Sequence, residues 1–129
     1  MTSLYGYITL AELELFAAET YSERSLKYTD AVIEAQISQS ERDVNVYCKQ
    51  SFTITFPDGV VSATLELTKR RMHNRMVFDK IVDAKPQETI IGNDKGLVAL
   101  LEQFVNTTVD SSTFVDAIPF GRNQYTRNY

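Results

Sequence analysis

Five basic side chains crowd into seven positions of this chain: Lys69, Arg70, Arg71, His73 and Arg75. The whole protein carries 13 lysines and arginines against 17 acidic residues, for a net charge of −4, so the cluster stands out against its background. Three roles are open to it: a plain solvated face, a contact for the acidic surface of a protein partner, or a lining that faces phosphate in a DNA groove or channel. Catalysis is a weaker prospect. A general-base histidine needs an orienting acid, and four residues either side of His73 stand Lys69 and Val77. Cys48, the single cysteine, ends an apolar stripe and reads as a buried structural thiol; a nucleophile would need a nearby base. Glu12, Glu14 and Glu19 lie on one short amphipathic helix, where solvation explains them. Neither Gly92-Asn93-Asp94-Lys95-Gly96 nor Phe120-Gly121-Arg122 has the spacing of a phosphate loop. One histidine and one cysteine make a dedicated zinc site improbable. The expectation is a protein without an active site, cofactor or metal.

Length and composition set the frame for the elements that position these residues. At 129 residues the chain is one domain's worth, with a modest core. Its hydrophobic share of 43% is that of an ordinary globular protein. No apolar run approaches the roughly 20 residues that span a bilayer. No signal peptide is expected, because the N-terminus lacks a basic start and places Glu12 and Glu14 where an apolar segment should stand. The single cysteine excludes an internal disulfide framework. The simplest compartment is therefore the cytosol.

The patterning predicts a mainly α protein: a small bundle of about four helices, residues 1–106, with an extended N-terminal arm and an extended C-terminal tail, residues 107–129. The arm carries Leu4, Tyr5, Tyr7 and Ile8. Thr9 and Glu12 form a capping box, and Leu10, Leu13, Ala17 and the further candidate Phe16 give the first helix a buried face as far as Thr20. Tyr21 to Lys27 reads as a polar linker. Thr29 or Asp30 caps the second helix. There Ile33, Ile37, Ser40, Val44 and Tyr47 follow steps of four, three, four and three, a continuous helical stripe. Ala31 and Ala35 would allow close approach beside it, and Glu34, Gln36, Gln39, Glu41, Arg42 and Asp43 would cover the other face. Phe52, Ile54 and Phe56 alternate with polar residues, which fits a short strand or, preferably, an extended connection that buries two or three of them.

Pro57 suits the first turn of the third helix, which carries Val60 or Val61, Thr64, Leu65, Thr68, Met72 and Met76. A helix to Met76 is about 30 Å long and crosses the domain. Val77 to Lys85 is a helix end or a strand, broken by Pro86. Asp94 caps a last helix with Leu97, Leu100, Leu101, Phe104 and Val105 in the core and Asn106 as terminator. The tail lacks a helical period but holds Phe114, Ile118, Phe120, Tyr125 and Tyr129, with Arg122 and Arg127 among them. That mixture is enriched at interfaces. Docking on a neighbouring subunit and folding back over the chain's own domain are both open to it.

In the order and spacing of these parts, residues 5–105 resemble the head-to-tail connector proteins of tailed bacteriophages, also called adaptor or head-completion proteins. The landmarks are Tyr7-Ile8-Thr9-Leu10-Ala11-Glu12-Leu13, a long helix from Asp30 to Tyr47, Phe52 in the following loop, and a helix opening at Pro57 with Ala63 inside. Ile91-Gly92 then precedes a helix with Leu97, Leu100 and Leu101. The third helix departs from the family in being more basic and poorer in leucine. The resemblance implies a structural virion protein of the neck, assembled in the host cytoplasm. It would form a homo-oligomeric ring, expected to be a dodecamer, that binds the portal protein above and a tail or stopper protein below. DNA would pass through the ring without sequence-specific contacts, and no membrane would be involved. The expected partner-binding residues are Lys69, Arg70, Arg71 and Arg75 on the third helix and Phe114, Ile118, Phe120, Arg122, Tyr125, Arg127 and Tyr129 in the tail. The alternative is a small dimeric DNA-binding regulator using the basic helix, although the helix-turn-helix signature is weak.

Overall fold

A computed structural model describes residues 5–107, and the expected mainly α bundle of four helices is what it contains. Helix α1 spans Leu10–Ala17, α2 Asp30–Cys48, α3 Asp58–Phe78 and α4 Lys95–Leu101. No strand occurs among the described residues. Residues 49–57 are an extended connection that half-buries Phe52 and Phe56 and leaves Ile54 in solvent. The residues expected as a C-terminal tail, from 108 on, lie outside the described part.

Local chemistry explains the helix boundaries. The Thr9 hydroxyl accepts from the Glu12 backbone N–H, and the Glu12 carboxylate accepts from that of Thr9, so the capping box closes. Helix α1 stops earlier than Thr20: Ala18 turns left-handed, and the backbone N–H groups of Ala18 and Glu19 return to the Leu15 and Glu14 carbonyls. Thr29 caps α2 through its hydroxyl and Asp30 is the first helical residue. Pro57 stands at the N-cap of α3, one place before the first turn. The Asp94 carboxylate accepts from the Leu97 backbone N–H and caps α4.

Helices α2 and α3 run antiparallel, since Tyr28 meets Asp79 at one end while Asp43 meets Arg71 further along. Their shared face is the core: Ile33, Ile37, Val44 and Cys48 against Val60, Ala63, Leu67, Met72 and Met76. Thr64 and Thr68 are buried in it because each hydroxyl donates to the carbonyl four residues back, at 2.7 Å. Leu67, absent from the expected stripe, is fully buried, whereas Leu65 is only partly so. Gly59 lets α4 approach: a Cβ there would lie 2.3 Å from the Leu100 carbonyl oxygen.

Four expectations are corrected. Tyr21, assigned to a polar linker, is 1% exposed and, with Tyr28, is among the largest core side chains. Phe16, a candidate for the buried face of α1, is exposed. Ala31 and Ala35 face solvent and mediate no close approach. Glu41, placed on the solvated face of α2, is fully buried, because its two carboxylate oxygens accept the backbone N–H groups of Tyr5 (2.9 Å) and Tyr7 (2.8 Å). The N-terminal arm is thus tied to α2 by a carboxylate that covers its free backbone donors. The Tyr7 hydroxyl adds a second tie, donating to the Asn45 side chain and accepting from the Phe52 backbone N–H.

Candidate functional site

The basic cluster of α3 is the natural place to look, and most of it is engaged within the chain. Arg70 pairs with Glu66 one turn back and with Asp94, at 2.8 and 2.7 Å, and donates a further bond to the Glu88 carbonyl. Arg71 pairs with Asp43 on α2. Lys69 pairs with Glu66 at 3.7 Å and stands over the ring of Phe16. His73 Nε2 lies 3.0 Å from the Lys85 carbonyl; a carbonyl only accepts, so this nitrogen carries the hydrogen. The Asn74 amide donates to the Gln87 carbonyl and accepts from the Gln87 backbone N–H. One face of α3 is therefore a polar track that holds the segment 85–88 by its backbone and α4 by its capping aspartate.

Charge follows this geometry. Burial works against the Arg70 cation, but Glu66 and Asp94 outweigh it and raise its pKa. Arg70 in turn holds the Asp94 carboxyl below its ordinary range, helped by the Leu97 backbone N–H. At the far end of α3 the Tyr28 hydroxyl donates to Asp79 at 2.7 Å. That bond lowers the Asp79 pKa, while burial and the neighbouring carboxylate push Tyr28 up to about 12.

Between α2, α3 and residues 89–92 lies a groove. Its two halves, of about 340 and 330 Å³, share Arg71 and Thr89. Gln36, Asp43, Val46 and Tyr47 form the α2 wall, and Arg71, Asn74, Arg75 and Phe78 form the floor and far end. Val46 and Ile90 on the rim and Phe78 at the end are 77%, 61% and 85% exposed. The Nε atoms of Arg71 and Arg75 are buried without a hydrogen-bond partner among the described residues. A buried polar group left so costs about 1–3 kcal/mol. Arg75 differs from Arg70 and Arg71 in having no ion pair among the described residues.

Of the expected partner-binding residues, Lys69, Arg70, Arg71 and Arg75 are thus brought together on one helix; among the described residues Arg75 alone of the four makes no ion pair, its nearest counter-charge being the Asp79 carboxylate in the same groove. Phe114, Ile118, Phe120, Arg122, Tyr125, Arg127 and Tyr129 lie outside the described residues. Cys48 is buried, and burial raises its thiol pKa, as suits a structural residue. Among the described residues no group of three histidine, cysteine, aspartate or glutamate side chains is placed to hold a metal, and no helix is long and apolar enough to cross a membrane. The groove went unseen in the sequence because residues 79–92 carry no periodic signal; the hint was Ile90-Ile91, whose second residue is buried and whose first is left on the rim. Set against models of known families, curated proteins and solved structures, the chain matches none.

Proposed function

We propose that this protein is a head-to-tail connector of a tailed phage, a ring subunit between the portal and the next tail component. One observation carries the proposal: the landmarks of the resemblance fall on element boundaries in the required order. Thr9 and Glu12 close the box on α1, Asp30 opens α2, and Phe52 lies half-buried in the connection. Pro57 stands at the N-cap position of α3, and Ile91-Gly92 opens the turn before the Asp94 cap of α4. Leu26 and Ile54, 98% and 92% exposed, offer apolar contacts to neighbouring subunits. A dimeric regulator would need the basic face of α3 free for phosphate, and Arg70 and Arg71 there are already paired with carboxylates of the same chain. The ring would guide DNA through its channel without reading sequence and would catalyse nothing.

The test is negative-stain microscopy and light scattering of the full chain, alone and with the portal protein of the same phage. Rings, or decoration of the portal by a ring, are expected. A dimer that retards a DNA fragment and ignores the portal would replace the connector with the regulator.

A further inference from the structure

Between α3 and α4 the chain crosses the polar face of α3 as a strap, and the strap is held differently at its ends and along its length. Both ends are fixed in the bundle. After α3, Lys80 turns left-handed, and the backbone N–H groups of Ile81 and Val82 return to the Met76 carbonyl at 2.8 and 3.3 Å. The side chains of Ile81 and Val82 pack against the core. At the other end Ile91 is buried and opens the turn before α4. Between these anchors residues 83–88 are all exposed, and so is Ile90. No backbone–backbone hydrogen bond among the described residues involves 83–89. What seats the strap is three side chains of α3 that reach its main chain. His73 Nε2 donates to the Lys85 carbonyl at 3.0 Å, and Arg70 donates to the Glu88 carbonyl at 3.2 Å. The Asn74 amide exchanges two bonds with the Gln87 backbone, at 2.9 and 2.7 Å. Arg70, His73 and Asn74 share one face of the helix through their spacing of three and four. All of these bonds are exposed to water.

We propose that residues 83–90 open as one unit while the four helices stay folded, and that the opening uncovers the row Arg70, His73 and Asn74. Water replaces exposed hydrogen bonds at little net cost, and residues 83–88 have no buried apolar side chain to lose. Segments of that kind occupy the low end of a protein's local stabilities. Arg70 keeps its pairs with Glu66 and Asp94 when the strap leaves, so α3 and α4 stay joined. Thr89 and Ile90 line the α2–α3 groove, and so do Arg71 and Asn74. Opening therefore removes part of the groove's wall and joins its floor to the uncovered row. The strap is a property of the single chain and holds whether or not that chain builds a ring.

Native-state hydrogen exchange of the full chain tests it, with the Gln87 amide as reporter of the strap and the Ile37 amide as reporter of the bundle. Gln87 should be protected by its bond to Asn74, yet exchange roughly 100-fold or more faster than Ile37 once intrinsic rates are divided out. Low urea should leave the Gln87 rate nearly constant, because opening exposes little surface, while the Ile37 rate rises. The variant His73→Ala removes only the bond to Lys85, two residues from the reporter. In a strap that opens as a unit it should speed Gln87 exchange by roughly 2–10-fold and leave Ile37 exchange and the melting temperature unchanged. A Gln87 amide without protection in the parent overturns the proposal, because the strap is then not seated. Gln87 exchange that follows urea as Ile37 does overturns it too, because the strap then opens only with the bundle. A Gln87 rate that ignores His73→Ala refutes opening as one unit.

Discussion

Replacing Glu41 with glutamine should cost this small protein a large part of its stability, although shape and size are kept. The carboxylate is fully buried and accepts two backbone hydrogen bonds, from Tyr5 at 2.9 Å and Tyr7 at 2.8 Å. Glutamine keeps one acceptor oxygen and turns the other into an NH₂ donor, which then faces a backbone donor. One charge-assisted bond is lost, worth about 1.5–3 kcal/mol, and one buried N–H is left unpaired, at about 1–3 kcal/mol. Burying a neutral amide is easier than burying a carboxylate, which returns part of this. The net expectation is a loss of about 2–3 kcal/mol. With a urea slope of about 1–3 kcal/mol per M, the unfolding midpoint should fall by roughly 0.7–3 M. Hydrogen exchange gives the local readout: the Tyr7 amide should lose protection while Ile37, deep in α2, keeps it under native conditions. An unchanged midpoint with a protected Tyr7 amide would refute the claim that Glu41 anchors the arm.

Gly59→Ala should destabilise by about 1–3 kcal/mol, the usual range for overpacking, even though alanine is the better helix former by about 1 kcal/mol. The new Cβ would meet the Leu100 carbonyl at 2.3 Å and the Phe104 ring at 2.8 Å, and the first of these is backbone; a raised melting temperature would show that α4 moves aside freely. Stability should also fall in acid. Asp79 has its pKa lowered first by the Tyr28 hydroxyl, and Asp94 first by Arg70. A carboxyl whose folded value lies below its unfolded one, near ~3.9, contributes fully above that pH and loses the contribution as pH falls through the lowered value. The variant Asp94→Asn keeps a good helix cap and should flatten melting temperature against pH below about 4; a slope equal to the parent's would remove Asp94 from the explanation.

Helices α1, α2 and α4 were legible because each is written twice, in its cap and in its period, whereas α3 has no side-chain cap and its stripe was read without the buried Leu67. Thr9 with Glu12, Thr29 with Asp30, and Asp94 marked the starts, and the stripe through Ile33, Ile37 and Val44 marked the buried face of α2. What escaped depends on contacts distant in the chain. Glu41 looks like a solvated residue until the arm, 34 residues away, brings its backbone donors. Tyr21 looks like part of a polar linker because its neighbours Ser22, Glu23 and Arg24 are exposed. The basic cluster was visible as a cluster, but its partners Asp43, Glu88 and Asp94 lie 18 to 28 residues off, so its use inside the fold was not. The groove is formed by a segment without period and could be found only in three dimensions.

Phe52 sits where the two ends of the described chain meet. Its ring packs edge-on against Tyr7 at 6.0 Å and against Phe104 at 6.4 Å, and its backbone N–H donates to the Tyr7 hydroxyl. Anything that draws the N-terminal arm away therefore strips one flank of the ring that supports the turn after α4. Displacing that turn strips the other flank. Any coupling that the shared ring creates is reciprocal: whatever detachment of the arm takes from the stability of the C-terminal turn, detachment of the turn takes from the arm. A chain gripped at one end would in this way report the event at the other through a single aromatic ring.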